Sequence, residues 1–298
     1  MPLVECVPNV SEGRRPDVIA ALADAIAAPG VHLLDQSSDP SHNRTVYTFA
    51  GEPQPLQQAV LRLFASAIAQ IDLRAHQGVH PRVGAVDVVP FVPLAQSTMA
   101  DCVELARSTA QLVAQRYGVP TYLYEEAAVN ENRCNLSDIR RGGFEGLGAR
   151  MREPGWRPDF GEPQPHPTAG VAAVGARPIL IAYNVKLATD RLSVARRIAR
   201  VVRASGGGLS HVKAMGVPLE HRGVVQVSMN LTAYHRTSMA TVFDAVTREA
   251  LNDGVDVLDS EIVGLVPRDA LPPDPMTRLK LSAADAERIL EKRLLIAD

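Results

Sequence analysis

The chain has 298 residues, 46% of them hydrophobic, with 31 basic against 33 acidic side chains and a formal net charge of −2. That length and apolar share can bury at least one substantial core, and charge this evenly mixed leaves no broad positive surface for a nucleic-acid backbone or an anionic membrane. The longest apolar runs, "VVPFVPL" and "ILIAY", are strand-sized and far short of the roughly 20 residues that cross a bilayer.

"MPLVECVPNV" has no basic lead, apolar core or small-residue cleavage site, so no secretory signal is expected. Cys6, Cys102 and Cys134 are too few and too scattered for a disulfide framework or a zinc knuckle. A cytoplasmic protein acting on a small molecule is the expectation.

In chain order, "LVECV" (3–7) predicts a buried strand, and "RPDVIAALADAIAA" a helix with Val18, Leu22 and Ile26 on one face, stopped by "PG". "VHLLDQS" and "RTVYTFAG" predict a strand pair around the turn-rich "SDPSHN", and "LQQAVLRLFASAIAQI" a second amphipathic helix. The loop "RAHQGVHPRVG" leads into the strand "AVDVVPFVPL", the long helix "MADCVELARSTAQLVAQRY" and a short edge strand, "PTYLYE". From Pro178 the order starts again: strand "ILIAYNV", helix "SVARRIARVVRA", strands "HVKAMGV" and "VVQVSMNL", helix "MATVFDAVTREAL", strand "SEIVGLVP" and one closing helix, "AADAERILEKRLL". The repeat predicts an α+β fold: two tandem ferredoxin-like (βαββαβ) subdomains whose sheets face each other around a ligand cleft.

The second half joins its second helix to its fourth strand through the ordinary "NDGVDVLD"; the first half inserts "LRAHQGVHPRVG" at the same place. The extra chemistry therefore belongs to one half only. Between the halves runs "EPGWRPDFGEPQPHPTAG" (153–170), whose prolines, Trp156, Phe160 and His166 predict a stiff, ligand-lining segment rather than a flexible linker.

His76 and His80 stand four apart, a spacing that aligns metal ligands only on a helix, and Gly78 and Pro81 oppose a helix there; no metal is expected. His80 is the candidate general acid or base, held by Pro81 and Gly84, with an unremarkable surface histidine as the alternative. Arg44 and Arg82 suit bidentate carboxylate recognition, or are solvated charges. Asn9 and Ser11 either cap the first helix or, for Asn9, point at a ligand. Cys6 is expected to be inert core. The three glycines of "ASGGGLSHVKAMG" lack the lysine of a phosphate loop.

Together, "LVECVPNVSEG", "NRTVYTFAG", "HQGVHPRVGAVDVVPFVPL", "HPTAGVAAVGARPILIAYNV" and "VQVSMNLT" resemble the glutamate formiminotransferase family across nearly the whole chain. The resemblance implies an N-subdomain over 1–177 and a C-subdomain over 178–298, folate held between them, and a homodimer. It implies transfer of the formimino group from N-formimino-L-glutamate to tetrahydrofolate as co-substrate, giving L-glutamate and 5-formiminotetrahydrofolate in histidine breakdown. The animal relatives carry a cyclodeaminase domain beyond this region. Carried over by position, the family's catalytic histidine falls on His80. Its folate-binding segment falls on Gly161, Glu162, Pro163, Gln164, Pro165, His166, Pro167, Thr168, Ala169 and Gly170, with Ala169 where the animal enzymes have tryptophan. An acidic residue of the animal proteins, two after the position of Asp35, is Ser37 here, with Asp39 further on, so no catalytic carboxylate is assigned. The alternatives are a folate-dependent formyltransferase using N-formylglutamate or 5-formyltetrahydrofolate, and a non-catalytic folate-binding protein.

Overall fold

The computed structural model describes residues 2–79, 81–219 and 223–297. Contacts divide the chain into two compact units, Met1–Arg177 and Pro178–Asp298.

In the first unit, β1 (Pro2–Cys6) and β2 (Asn9–Val10) form one interrupted strand, broken at Val7 and Pro8. Both pieces pair antiparallel with β4 (Arg44–Gly51) on one side and β5 (Val86–Ala95) on the other. Pro90 of β5 lies opposite the break, where its carbonyl accepts from Val7 N at 3.2 Å. This explains how a central strand accommodates a residue without an N–H. β3 (Val31–Asp39) pairs with β4, so β3, β4, β1/β2 and β5 reproduce the ferredoxin-like strand order. Beyond β5 the sheet continues in parallel through β7 (Ala172–Ala176) to β6 (Thr121–Glu125). β6 is the edge strand that its sequence predicts, but β7 lies between it and β5.

The helices α1 (Pro16–Ile26), α2 (Pro53–Gln70) and α3 (Met99–Tyr117) cover one face. α1 and α2 begin with proline at their first turn, where its missing N–H costs nothing. A reciprocal Thr98–Asp101 capping box starts α3, and Gly118 in the left-handed conformation ends it. Their core includes Val4, Cys6, Tyr47, Phe49, Phe64 and Phe91, so Cys6 is buried core. On the opposite face, α4 (Leu136–Ile139) and α5 (Gly143–Arg150) help close a smaller cluster of Val88, Tyr122, Tyr124, Leu147 and Met151.

The second unit runs β8 (Ile181–Leu187), α6 (Leu192–Val202), β9 (Val212–Leu219), β10 (Val224–Leu231), α7 (Met239–Asn252) and β11 (Val257–Val263). Its sheet order, β11-β8-β10-β9, is again ferredoxin-like. Ile181, Tyr183, Val185 and Leu187 alternate into a core shared with Val194, Ile198, Val242 and Val246 of the two helices. The predicted closing helix is divided. After α8 (Pro275–Leu279) come α9 (Ala283–Ala286) and α10 (Leu290–Ala297). Between the last two, Val266 N donates to Arg288 O and Leu290 N to Val266 O, each at 2.9 Å, which takes the backbone out of the helix.

Candidate functional site

His80 lies outside the described residues; its neighbours define where the loop runs. The chain after α2 is fastened to the connector by backbone bonds. Leu73 N donates to Thr168 O at 2.8 Å, Ala85 N to Ala169 O at 3.0 Å, and Val171 N to Val83 O at 2.9 Å. Gly84 and Gly170 face each other in this seam. A Cβ on Gly84 would sit 2.0 Å from Val171 O, and one on Gly170 2.1 Å from Val83 O, so the approach requires glycine at both positions. The loop that follows α2 and the segment 161–170 are thus one construction, although about 80 residues of sequence separate them.

The loop has an internal clamp. His76 Nε2 bonds Asn43 O at 2.9 Å, and its Nδ1 accepts from Arg82 Nε at 2.9 Å. That pattern fixes the neutral ring with its proton on Nε2. Burial first, together with the Arg82 cation, holds the His76 pKa below its ordinary value, while the Asn43 carbonyl opposes them. Arg82 Nη2 also donates to His76 O at 3.0 Å and Leu73 O at 3.4 Å, and its fork meets Glu145 Oε1 and Oε2 at 2.9 and 3.3 Å. Arg82, expected to recognise a carboxylate of the ligand, is engaged by the loop and by Glu145. Val79 N donates to Ser41 O at 3.3 Å and Asn43 Nδ2 to Gln77 O at 2.9 Å, which lays the loop on the β3–β4 turn.

That turn leads directly into Arg44. Asn9 Oδ1 accepts from Arg44 Nη1 at 3.1 Å. Asn9 therefore orients this guanidinium and does not cap α1. Ser11 donates to Gly84 O at 2.7 Å instead, and Glu12 Oε1 accepts from Arg14 N and Arg15 N at 2.8 and 3.0 Å in the turn before α1, whose N-cap Arg15 makes no side-chain cap bond. Burial, then the field of Arg140, push the Arg44 pKa down to about 10, with Asp39 and Asp87 pulling the other way. Arg140, at the end of α4, donates to Asp87 Oδ2 through Nε and Nη2 at 2.8 and 2.5 Å. The other Asp87 oxygen accepts from Val83 N and Gly84 N at 2.6 and 3.2 Å. One buried carboxylate thus ties Arg140 to the seam. The Arg140 charge is thus paired within the fold, while Arg44 stands in its field beside Asn9.

Within 161–170, Gly161 to Gln164 are exposed, whereas Ala169 is 2% exposed and packs in the core. His166 Nδ1 accepts from Ala169 N at 3.0 Å and Thr168 N at 3.3 Å, and His166 pairs with Gly170 in a closed turn. The ring organises the segment, and burial lowers its pKa. Trp156 packs under Arg150, 3.4 Å from guanidinium carbon to ring centroid, and Phe160 pairs its backbone with Thr121.

Residues 3–177 match the family model for the N-terminal subdomain of the formiminotransferase domain, and residues 182–273 match the model for the formiminotransferase domain. The chain belongs to the formiminotransferase family. It is 45% identical over 295 residues to "Glutamate formimidoyltransferase" of Streptococcus pyogenes serotype M1, covering 98% of this chain and 99% of that one. A second relative of that name, from Thermoplasma acidophilum, is 43% identical and covers 99% of this chain and 98% of its own. "Formimidoyltransferase-cyclodeaminase" of Sus scrofa is 43% identical over 90% of this chain but only 51% of its own length.

Reading the formiminotransferase sequence residue by residue does not single out Arg140, Asn43, Asp87 or Glu145. Arg140 and Glu145 lie in "SDIRRGGFEGLG", a stretch whose glycines hide its helices, and Asn43 and Asp87 carry no local signal. Among the described residues no cluster of three or more His, Cys, Asp or Glu could hold a metal, and no helix is long and apolar enough to cross a membrane.

Proposed function

We propose that the chain transfers a formimino group from N-formimino-L-glutamate to tetrahydrofolate, releasing L-glutamate and 5-formiminotetrahydrofolate. The observation that carries this reading is the seam: the loop bracketing His80 and the 161–170 segment are joined by backbone bonds and share Gly84 and Gly170. A folate ring held by the connector would lie beside the loop that carries an imidazole.

The reaction needs proton transfer in both directions. Attack of the folate nitrogen on the amidine carbon gives a tetrahedral adduct; the attacking nitrogen loses a proton, and the glutamate nitrogen must gain one to leave. One imidazole near neutrality performs both transfers, and His80 is assigned to them. His76 is unsuited, since both its ring nitrogens are engaged in the clamp. Arg44, oriented by Asn9 and crowded by the field of Arg140, is assigned to a substrate carboxylate. Arg82 is assigned to holding the loop. Glycines 161 and 170 and the residues between them are assigned to folate.

The test is a titration with tetrahydrofolate and N-formimino-L-glutamate that follows formation of the 5-substituted folate, for the native chain and for His80→Ala. The expected loss of turnover is about 10²–10⁴-fold, with tetrahydrofolate affinity changed only a few-fold. Turnover near that of the native chain in the variant removes His80 from the mechanism.

A further inference from the structure

After α5 the chain turns back on itself. Trp156 N donates to Glu153 O at 3.1 Å and closes a turn over Pro154 and Gly155, whose φ of +81° suits glycine. Arg152 and Arg157 stand on the two arms of that turn. Arg133, last residue of the 3₁₀ turn Glu131–Arg133, fastens it: Nη1 donates to Arg157 O at 3.0 Å and to Asp159 Oδ2 at 2.9 Å. The three arginines and Glu153 line one cavity of about 490 Å³. It lies wholly within the first unit, and none of its lining residues belongs to the loop after α2, the seam or the 161–170 segment.

The Arg133 guanidinium is only partly answered by the protein. Arg133 is 6% exposed, with its guanidinium carbon 5.8 Å from the centroid of the Tyr122 ring. Of the five N–H donors on such a group, those on Nη1 are used. Nε is buried without an acceptor, and Nη2 meets none among the described residues. Unmatched donors on a buried cation call for a partner. Asp159 answers the Arg133 charge, which leaves Arg152 and Arg157 against Glu153 alone. Neither of these exposed arginines makes a side-chain hydrogen bond or ion pair among the described residues. The lining is therefore net positive, and it holds no aromatic ring on which a base could stack.

Guanidinium groups pair with carboxylates and with phosphates. A carboxylate presents two oxygens in one plane, whereas a phosphoryl group presents oxygens in a tetrahedral spread. Arginines from three chain positions, one held fast by Asp159 and two on the arms of a turn, match the spread better than the plane. We propose that this cavity is a binding site for a phosphoryl group, as inorganic phosphate or a phosphomonoester, separate from the residues assigned to formimino transfer. Arg133 is its fixed anchor, and Arg152 and Arg157 close on the remaining oxygens.

The experiment is calorimetric titration of the full chain with inorganic phosphate, with adenosine monophosphate and with acetate, at matched ionic strength. The native chain should show one saturable phosphate site, with a dissociation constant below about 1 mM and acetate bound at least about 10-fold more weakly. Arg152→Gln and Arg157→Gln change exposed side chains; each should weaken phosphate on the order of 10-fold while formimino-transfer turnover stays within a few-fold. Arg133→Lys keeps the charge and loses the fork, and should weaken phosphate as well. If melting shows that this buried substitution does not fold, the double variant of Arg152 and Arg157 decides. Adenosine monophosphate bound more tightly than phosphate marks a phosphomonoester as the ligand; equal or weaker binding marks free phosphate. No saturable site, acetate bound as tightly as phosphate, or an affinity unchanged in the double variant overturns the proposal.

Discussion

At the scale of single residues, the candidate site is a matter of which donors and acceptors are already committed. The His76–Arg82 contact exists only while Nδ1 is bare, because a protonated Nδ1 would point a donor at the Arg82 donor. The sign of the pH dependence follows. The folded-state pKa of His76 lies below its ordinary value, so between the two the unfolded chain binds the proton more readily. The clamp's contribution is therefore complete above the unfolded value of about 6.5 and is lost as pH falls through that range toward the depressed folded value. His76→Gln, whose amide oxygen can accept from Arg82 but does not titrate, should remove this component. The native chain should lose more melting temperature between pH 7 and pH 5 than the variant does; parallel melting curves would show that the clamp does not titrate in this range.

At the scale of elements, the site is built where two pieces of irregular chain meet, and the meeting depends on the missing side chains of Gly84 and Gly170. Gly84→Ala places a methyl 2.0 Å from Val171 O and 2.7 Å from Val86 O, both backbone atoms that cannot swing aside. The expected destabilisation is on the order of 3 kcal/mol, read by denaturant unfolding, with loss of turnover because the seam opens. Gly148→Ala within α5 is the control: nothing lies within 4 Å of its added methyl, so it should be neutral or gain roughly 0.5–1 kcal/mol from helix propensity. Equal effects from the two substitutions would mean that the seam does not discriminate by close approach.

The same elements show what sequence reasoning reaches. Strands such as β4 and β10 and helices such as α2 and α7 carry their own periodicity and stop signals, and the twofold repeat of order made the ferredoxin-like fold readable. β7 was not readable, because "AAVGA" is buried at all five positions and has neither alternation nor bulk. α5 was hidden by Gly143, Gly146 and Gly148, which weaken a helix on propensity alone. The loop and connector were readable as special, since so many prolines, glycines and titratable groups stand outside any period. That they are bonded to each other was not, because backbone pairing across some 80 residues leaves no local pattern. Arg140 was missed for a related reason: its importance comes from Asp87, a β5 residue that reads simply as part of a strand.

At the scale of the whole molecule, the duplication makes a physical claim about independence. The second unit's core draws its buried residues from Ile181 to Leu281, and the two clusters of the first unit draw theirs from Val4 to Ala176. Neither core borrows a residue from the other unit. On its helix-free face the second sheet carries Asn184, Lys186, Gln226, Asp259 and Glu261. The four strands are antiparallel and cross-braced by Arg197, which bridges α6 to Glu249 and Asp253 at 2.8 and 2.7 Å around the end of α7. Residues 178–298 expressed alone should therefore fold to a monomer with a single cooperative thermal transition and mixed α/β circular dichroism. A broad, non-cooperative melt of this fragment would mean that its stability is supplied by the first unit.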